Sequence, residues 1–208
     1  MSSNWPFKRS LQGDDAVKKN YNEILYKNQT IQCKDVLLRR FEESDVNDIL
    51  KYANDEETLR YINWGGNKTI EEVKSSIYDV YWARPGVWAI ADKDSNKVLG
   101  CIDIRIVENH HKASFGFILN RDYWGKGYMT QALSAVLKVA FEELELNRVE
   151  AIHFVGNEGS GRVMEKCGME KEGVLIQNEY IKGQYVDHVV YGIIKSKYEA
   201  ALNNFKFV

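Results

Sequence analysis

Trp124-Gly125-Lys126-Gly127-Tyr128-Met129-Thr130 is the stretch of this chain best suited to holding an anion. Its glycines carry no Cβ, so a phosphate can approach the main chain closely. At the start of a helix, the same residues add unsatisfied N–H donors and a partial positive charge. Such a cradle binds phosphate or pyrophosphate without any net basic charge. A plain turn and helix start would use the same residues, and local spacing leaves both readings open. Two familiar cradles do not fit. A Walker loop needs GxxxxGK followed by Ser or Thr, and Tyr128 follows Gly127. The dinucleotide fingerprint needs a third glycine where Thr130 stands. The phosphate expected here is not that of ATP or NAD.

Metal and thiol chemistry find no pattern. Cys33, Cys101 and Cys167 stand far apart without CxxC spacing, as thiols of a reducing compartment do. His110, His111, His153 and His188 show neither HxxxH nor HExxH spacing, so no metal is expected. Lys+Arg 28 against Asp+Glu 30 gives a net charge of −2, which argues against direct nucleic-acid binding. No apolar run approaches the ~18 residues of a membrane span. The opening Met1-Ser2-Ser3-Asn4-Trp5-Pro6 lacks the form of a signal peptide, and a cytoplasmic protein is expected.

The elements that must position the cradle follow from periodicity. Residues 1–35 are polar with one helical stripe, Val17, Tyr21, Ile24 and Leu25, read as an extension packed on the domain or on a dimer partner. A strand at Val36–Arg40 precedes a helix capped by Ser44-Asp45, and Thr69 with Glu72 caps a second helix striped by Val73, Ile77, Val80 and Tyr81. Runs at 87–91, 98–107 and 113–119, joined by short polar turns, form an antiparallel meander. A long helix comes after the cradle, with Met129, Leu133, Val136, Leu137, Ala140, Phe141 and Leu144 on one side. A strand at 148–155 then implies a crossover and a parallel pair. A short helix starts at Asn157 or Ser160 and stops at Gly168, before strands at 173–181 and 185–194 around Lys182-Gly183-Gln184. The class is mixed α+β with a mostly antiparallel sheet.

In this frame, residues 36–197 resemble the GNAT superfamily of N-acetyltransferases, in the branch typified by the RimJ and RimL ribosomal-protein acetyltransferases. The resemblance rests on several segments in order. These are Leu38-Arg39 with Asp45, Tyr123 to Tyr128, Asn157 with Ser160 and Arg162-Val163, Glu165 to Met169, and Gly183 to Asp187. It implies the GNAT fold, in which the strands at 113–119 and 148–155 splay apart. Acetyl-CoA would lay its pantetheine arm along Phe117, Ile118 and Leu119 and its pyrophosphate on the amides of 124–130. Asn157, Ser160 and Arg162 complete the implied cofactor contacts. Trp124 is usual in the branch; Met129 replaces a smaller residue but keeps its backbone donor.

The implied reaction needs a neutral amine, an oxyanion donor and a proton for the departing thiolate. An α-amine, with a pKa near ~8 against ~10.4 for lysine, suits it best near neutrality. The backbone N–H near Leu119 is the implied oxyanion donor. Ser160 is the implied acid at the sulfur, because the tyrosine many relatives carry on this helix is here Met164; a helix cap is its structural alternative. Where relatives carry a glutamate base, this chain has Ser114. Asp103 and Glu179 stand in as alternatives, His153 and His188 read as structural strand residues, and no base is assigned. Asn63 and Trp64, in a loop between helices, are the candidate acceptor-binding residues, with a core plug as the other reading of Trp64. The expected activity is acetyl transfer to a primary amine such as a protein N-terminus. A small-molecule amine acetyltransferase or an inert CoA-binding regulatory module are the alternatives. Residues 198–208 are read as a C-terminal tail.

Overall fold

Val87 to Ala91 is buried throughout, which a strand achieves only when both faces of its sheet are covered. Trp88 and Ile90 turn to one core and Val87 and Ala89 to another. The computed structural model describes residues 19–205 and resolves these cores around one sheet. Its elements are α1 (Tyr21–Lys27), β1 (Ile31–Gln32), β2 (Val36–Arg39), α2 (Val46–Ala53), α3 (Glu56–Leu59), α4 (Ile70–Ser76), β3 (Val87–Asp92), β4 (Val98–Val107) and β5 (Lys112–Leu119). They continue as α5 (Tyr128–Lys138), β6 (Arg148–Phe154), α6 (Glu158–Lys166), β7 (Glu170–Ile181), β8 (Gln184–Ile194) and α7 (Lys195–Phe205). The sheet order is β1-β2-β3-β4-β5-β6-β8-β7, antiparallel except for β5–β6. This is the expected mixed α+β architecture.

One core holds α1 and α5 against Trp88, Ile90, Leu99, Ile102 and Phe115. The other holds α2 and α4 through Ile49, Tyr52, Val73 and Ile77. The stripe of α1 is realised by Tyr21 and Leu25, and the Trp88 indole donates to the Asn28 carbonyl at 2.8 Å. Val17 lies outside the described residues. The segment read as a tail is helical through Phe205, and the Tyr198 ring stacks on Phe141 at 4.8 Å. No helix among the described residues is long and apolar enough to cross a membrane.

Two local expectations change. Asp45 does not cap α2; its carboxylate accepts the Glu42 N–H and two bonds from Arg39, at 2.8 Å each. Both side chains are buried, and Arg39 also binds Asn96, so the pair ties β2, the turn into α2 and the β3–β4 turn together. Thr69 and Glu72 do form the expected capping box on α4. However, a π-turn at Ile77–Tyr81 adds a residue to the last turn and shifts the helical phase. Val80 therefore leaves the apolar stripe and stands exposed.

The feature that positions the site is the brevity of the β5–β6 pairing. Lys112, Ala113 and Ser114 pair with Arg148, Val149 and Glu150, after which the two strands diverge to Leu119 and Phe154. Charged side chains lock the vertex: Lys112 bonds Glu150 at 2.6 Å, and Arg148 links Glu150 to Glu172 on β7.

Candidate active site

A cavity of about 550 Å³ opens where β5 and β6 part. Its walls include Phe115 to Ile118 on β5 and Ile152 to Phe154 on β6. The start of α6 adds Asn157 and Ser160; the α3–α4 loop adds Tyr61, Asn63 and Trp64. Tyr81 closes the π-turn and Arg84 stands just beyond it, while β4 contributes Cys101, Asp103 and Arg105 from alternate positions on one face.

Backbone direction along β5 is set by one bond. Asn120 N–H donates to the Leu99 carbonyl at 2.8 Å, so Asn120 faces β4. Alternation then turns Leu119 and Phe117 toward the gap left by β6, and Ile118 toward β4. The carbonyl of Leu119 does point that way, since it accepts the Trp124 indole N–H at 2.7 Å. That bond fastens the cradle to the end of the strand.

The cradle itself lies outside the cavity wall, as an exposed surface at the start of α5. Gly125 and Gly127 have φ of +74° and +81°, and nothing stands within 4 Å of a Cβ built on either. A side chain would be strained there and would fill the space an anion could use. Gly127 is also the N-cap of α5 and offers no side-chain acceptor, whereas α1, α3, α4 and α6 are each capped by a side chain. The amides of Tyr128, Met129 and Thr130 thus head a first turn that, like that of α2, has no side-chain cap. Met129 sends its side chain into the core, and the Lys126 ammonium sits over the Tyr123 ring at 4.9 Å.

At α6 the two possible starts resolve: Asn157 is the cap, accepting from the Ser160 N–H at 3.3 Å. The cap role proposed for Ser160 therefore falls away, while the residue lines the cavity. Arg162 is exposed on α6, outside that wall. Met164 is buried and contributes to the cavity lining. A tyrosine nevertheless comes near from β8: a Cβ on Gly161 would lie 3.2 Å from the Tyr191 hydroxyl and 3.1 Å from His153 Nε2. The Tyr191 hydroxyl donates to Glu165 at 2.8 Å; burial and that carboxylate push its pKa up to about 12.

Of the candidate bases, Asp103 is the most constrained. One oxygen accepts the Gly116 N–H at 2.8 Å and an Arg105 bond; the other accepts from Arg84. Glu179, His153 and His188 remain facing the cavity. Both histidines are buried in strands, as expected, yet both also form part of its wall. His153 Nδ1 lies 2.8 Å from the Phe154 carbonyl; a carbonyl only accepts, so Nδ1–H is the donor of that bond. The Cys101 thiol at the floor is pushed well up by burial and is inert as a nucleophile. Trp64 is half-buried: it packs on the second core and also meets the cavity.

Sequence reasoning missed Tyr61, Tyr81, Arg84, Arg105 and Phe154 in this wall. The alternation of Cys101, Asp103 and Arg105 was the legible signal; the others are brought in by a loop, a π-turn and a strand end. Among the described residues no group of three or more His, Cys, Asp or Glu could hold a metal ion.

Residues 35–170 match the family model described as acetyltransferase (GNAT) domain. YoaA of Bacillus subtilis (strain 168), an uncharacterized N-acetyltransferase, is 30% identical over 167 residues, covering 78% of this chain and 94% of that protein. The ribosomal protein uS5-alanine N-acetyltransferase of Escherichia coli (strain K12) is 28% identical over 105 residues, 50% of this chain and 54% of that protein. A GNAT acetyltransferase structure from Bacillus anthracis superposes with a TM-score of 0.74 at 28% identity, covering 80% of this chain and 99% of that one.

Proposed function

The chain belongs to the GNAT acetyltransferase family, and from that premise we propose how its cleft divides between acetyl-CoA and an acceptor. It is an acetyl-CoA-dependent N-acetyltransferase. The acceptor in this reading is a primary amine, the N-terminal α-amine of a protein, as in the RimJ/RimL-like branch. The uS5-alanine enzyme among its relatives supports that choice. The observation that carries the division is the uncapped start of α5 fastened by Trp124 to the end of β5. Pyrophosphate rests on the amides of 124–130, and the pantetheine arm runs down the open edge of β5. Leu119 lies nearest the cradle on that edge and Phe117 next. The acyl carbonyl is the end of the cosubstrate farthest from pyrophosphate, so its oxyanion falls to the Phe117 N–H and Leu119 holds the arm.

In the transfer, the amine lone pair attacks the thioester carbonyl carbon and the C=O electrons move to oxygen. Collapse breaks the C–S bond, and the nitrogen loses a proton as the thiolate gains one, giving the amide and free CoA thiol. Ser160 donates at the sulfur and recovers its proton from solvent. The Trp64 and Asn63 wall orients the acceptor. Residues 19–35 line neither this cavity nor its neighbour, so the described part of the extension acts as scaffold.

The experiment is CoA-thiol release from acetyl-CoA against a panel of N-terminal peptides, polyamines and aminoglycosides. Transfer to the peptides is the expected result. Turnover of the small amines alone would move the acceptor class, CoA binding without transfer would leave a regulatory module, and no CoA binding would overturn the reading.

A further inference from the structure

Charge is unevenly placed around the first cavity. Arg84, Asp103 and Arg105 stand together on one side, and the other carboxylate of the wall, Glu179, belongs to β7 across the gap. Asp103 and Arg105 are two apart on β4 and so share a face. Gly116, the partner of Asp103 on β5, lies beneath them: a Cβ built there would stand 2.6 Å from the Arg105 guanidinium and 3.0 Å from the Asp103 carboxylate. Glycine at this position gives the cluster its room. One Asp103 oxygen takes the Gly116 N–H at 2.8 Å and Arg105 at 3.3 Å, and the other takes Arg84 at 3.3 Å.

Two cations thus share one anion. Both arginine contacts are longer than the ~2.7–2.9 Å of a charge-assisted bond, and no other acid among the described residues pairs with either arginine. Asp103 is the sheltered member at 14% exposure, while the arginine side chains, at 44% and 52%, are open to a ligand. The adjoining cavity of about 410 Å³, at Tyr185 where β8 runs past the end of β6, also holds two cations. There each has a partner of its own, Glu57 for Arg60 and the Leu59 carbonyl for Lys182. The surplus positive charge lies at Arg84 and Arg105.

We propose that Arg84 and Arg105 bind a carboxylate carried by the acceptor, so that the acceptor is an amine with an acid close beside it. The inference rests on the acyl-transfer reading and adds an acidic group to the amine that reading requires. A planar guanidinium matches a carboxylate in shape, and a surplus of one charge balances a carboxylate rather than a phosphate dianion. Asp103 holds both guanidiniums in place before the acceptor arrives, which reduces the ordering lost on binding. Position sets how near the acid must be. Gly116 adjoins Phe117, whose N–H takes the oxyanion in the proposed transfer, and one strand residue spans only ~3.3 Å. The acid therefore belongs to the residue that bears the amine or to the next one. It is a side chain in a peptide acceptor and the α-carboxylate in a free amino acid.

The test measures CoA release, with acetyl-CoA saturating, from alanine tripeptide amides carrying Asp or Asn at the first, second or third residue. Asp at the first or second residue is expected to raise kcat/KM at least tenfold over Asn, through KM, the scale of a hydrogen bond to a charged group. Alanine against alaninamide, at equal free-amine concentration, tests the other source; a tenfold preference for alanine would support the same site with a free amino acid in it. Arg105→Glu should reverse the order, with a lysine tripeptide overtaking the aspartate one; an unchanged order in the folded variant overturns the assignment. Parity of Asp and Asn at every position, with parity of alanine and alaninamide, overturns the carboxylate site and leaves acetyl transfer intact. Release of CoA with no acceptor at all in the series overturns it together with the acyl-transfer reading.

Discussion

The two halves of the cleft are assembled in opposite ways. The proposed pyrophosphate cradle is one unbroken run, Trp124 to Thr130, and works through main-chain amides whose directions are set by Gly125, Gly127 and the start of α5. The proposed acceptor wall gathers side chains from the α3–α4 loop, a π-turn, alternate positions of β4, the end of β6 and His188 of β8. A contiguous backbone site has few ways to vary, because any Cβ at a positive φ is penalised. A dispersed side-chain site can change residue by residue without disturbing the fold. Cosubstrate binding and acceptor choice should therefore respond to mutation separately.

The sharpest way to break this contrast is Gly127→Asp. Bulk and negative charge in a cradle built at φ +81° should lower acetyl-CoA affinity at least ~1000-fold, about 4 kcal/mol, by calorimetry with the thermal midpoint checked alongside. Unchanged affinity would place the anion elsewhere. Next in size is Ser160→Ala, expected to lower kcat about 30-fold with the KM for acetyl-CoA within about threefold. A loss confined to KM would reduce Ser160 to a binding contact.

Trp64→Ala probes the acceptor half. The acceptor KM should rise about fivefold, the scale of one partly buried aromatic contact, while acetyl-CoA affinity holds. A parallel loss of CoA binding would join the two halves. The smallest effect concerns the vertex that sets their separation. Hydrogen bonding to Arg148 holds the Glu172 carboxyl below its ordinary range; for Glu150, burial opposes this but Lys112 and Arg148 outweigh it. Carboxyls with depressed folded pKa values stabilise the protein above the ordinary carboxylate range. That stability is lost as pH falls through the folded values. Urea midpoints should thus fall from pH 5 toward pH 3 by an amount equal to under about 1 kcal/mol, since Glu172 is partly exposed and screened. Glu172→Gln should flatten part of that slope; an unchanged slope would show that the vertex needs no Arg148–Glu172 pair.

Much of the scaffold was legible because its signals are local. The apolar stripe that runs from Met129 through α5 and the following π-turn at Val139–Glu143 to Leu144 is buried in full, the Thr69–Glu72 box stands where expected, and the meander and parallel crossover are in place. The failures share a cause. Asp45 reads as a helix cap from its neighbours, but its carboxylate is taken by Arg39, whose position depends on how β2 meets the β3–β4 turn. Val80 belongs to the stripe at 3.6 residues per turn, and the π-turn breaks that period. The short strand β1, the single turn α3 and the helix α7 carry too few periodic residues to be seen against their surroundings.

Sequence by itself determined what rests on neighbouring residues: the mixed α+β order, the capped helix starts, and a glycine-rich loop able to present amides to an anion. Backbone conformation answers to adjacent side chains, so such features are written in runs a reader can find. Tertiary structure alone decided where β6 stops beside β5 and β8. Those endpoints open one cavity at the vertex and another at Tyr185, and they bring Tyr61, Arg84 and Phe154 to a common wall. Strand ends depend on which chain lies alongside, and no local run of residues encodes that.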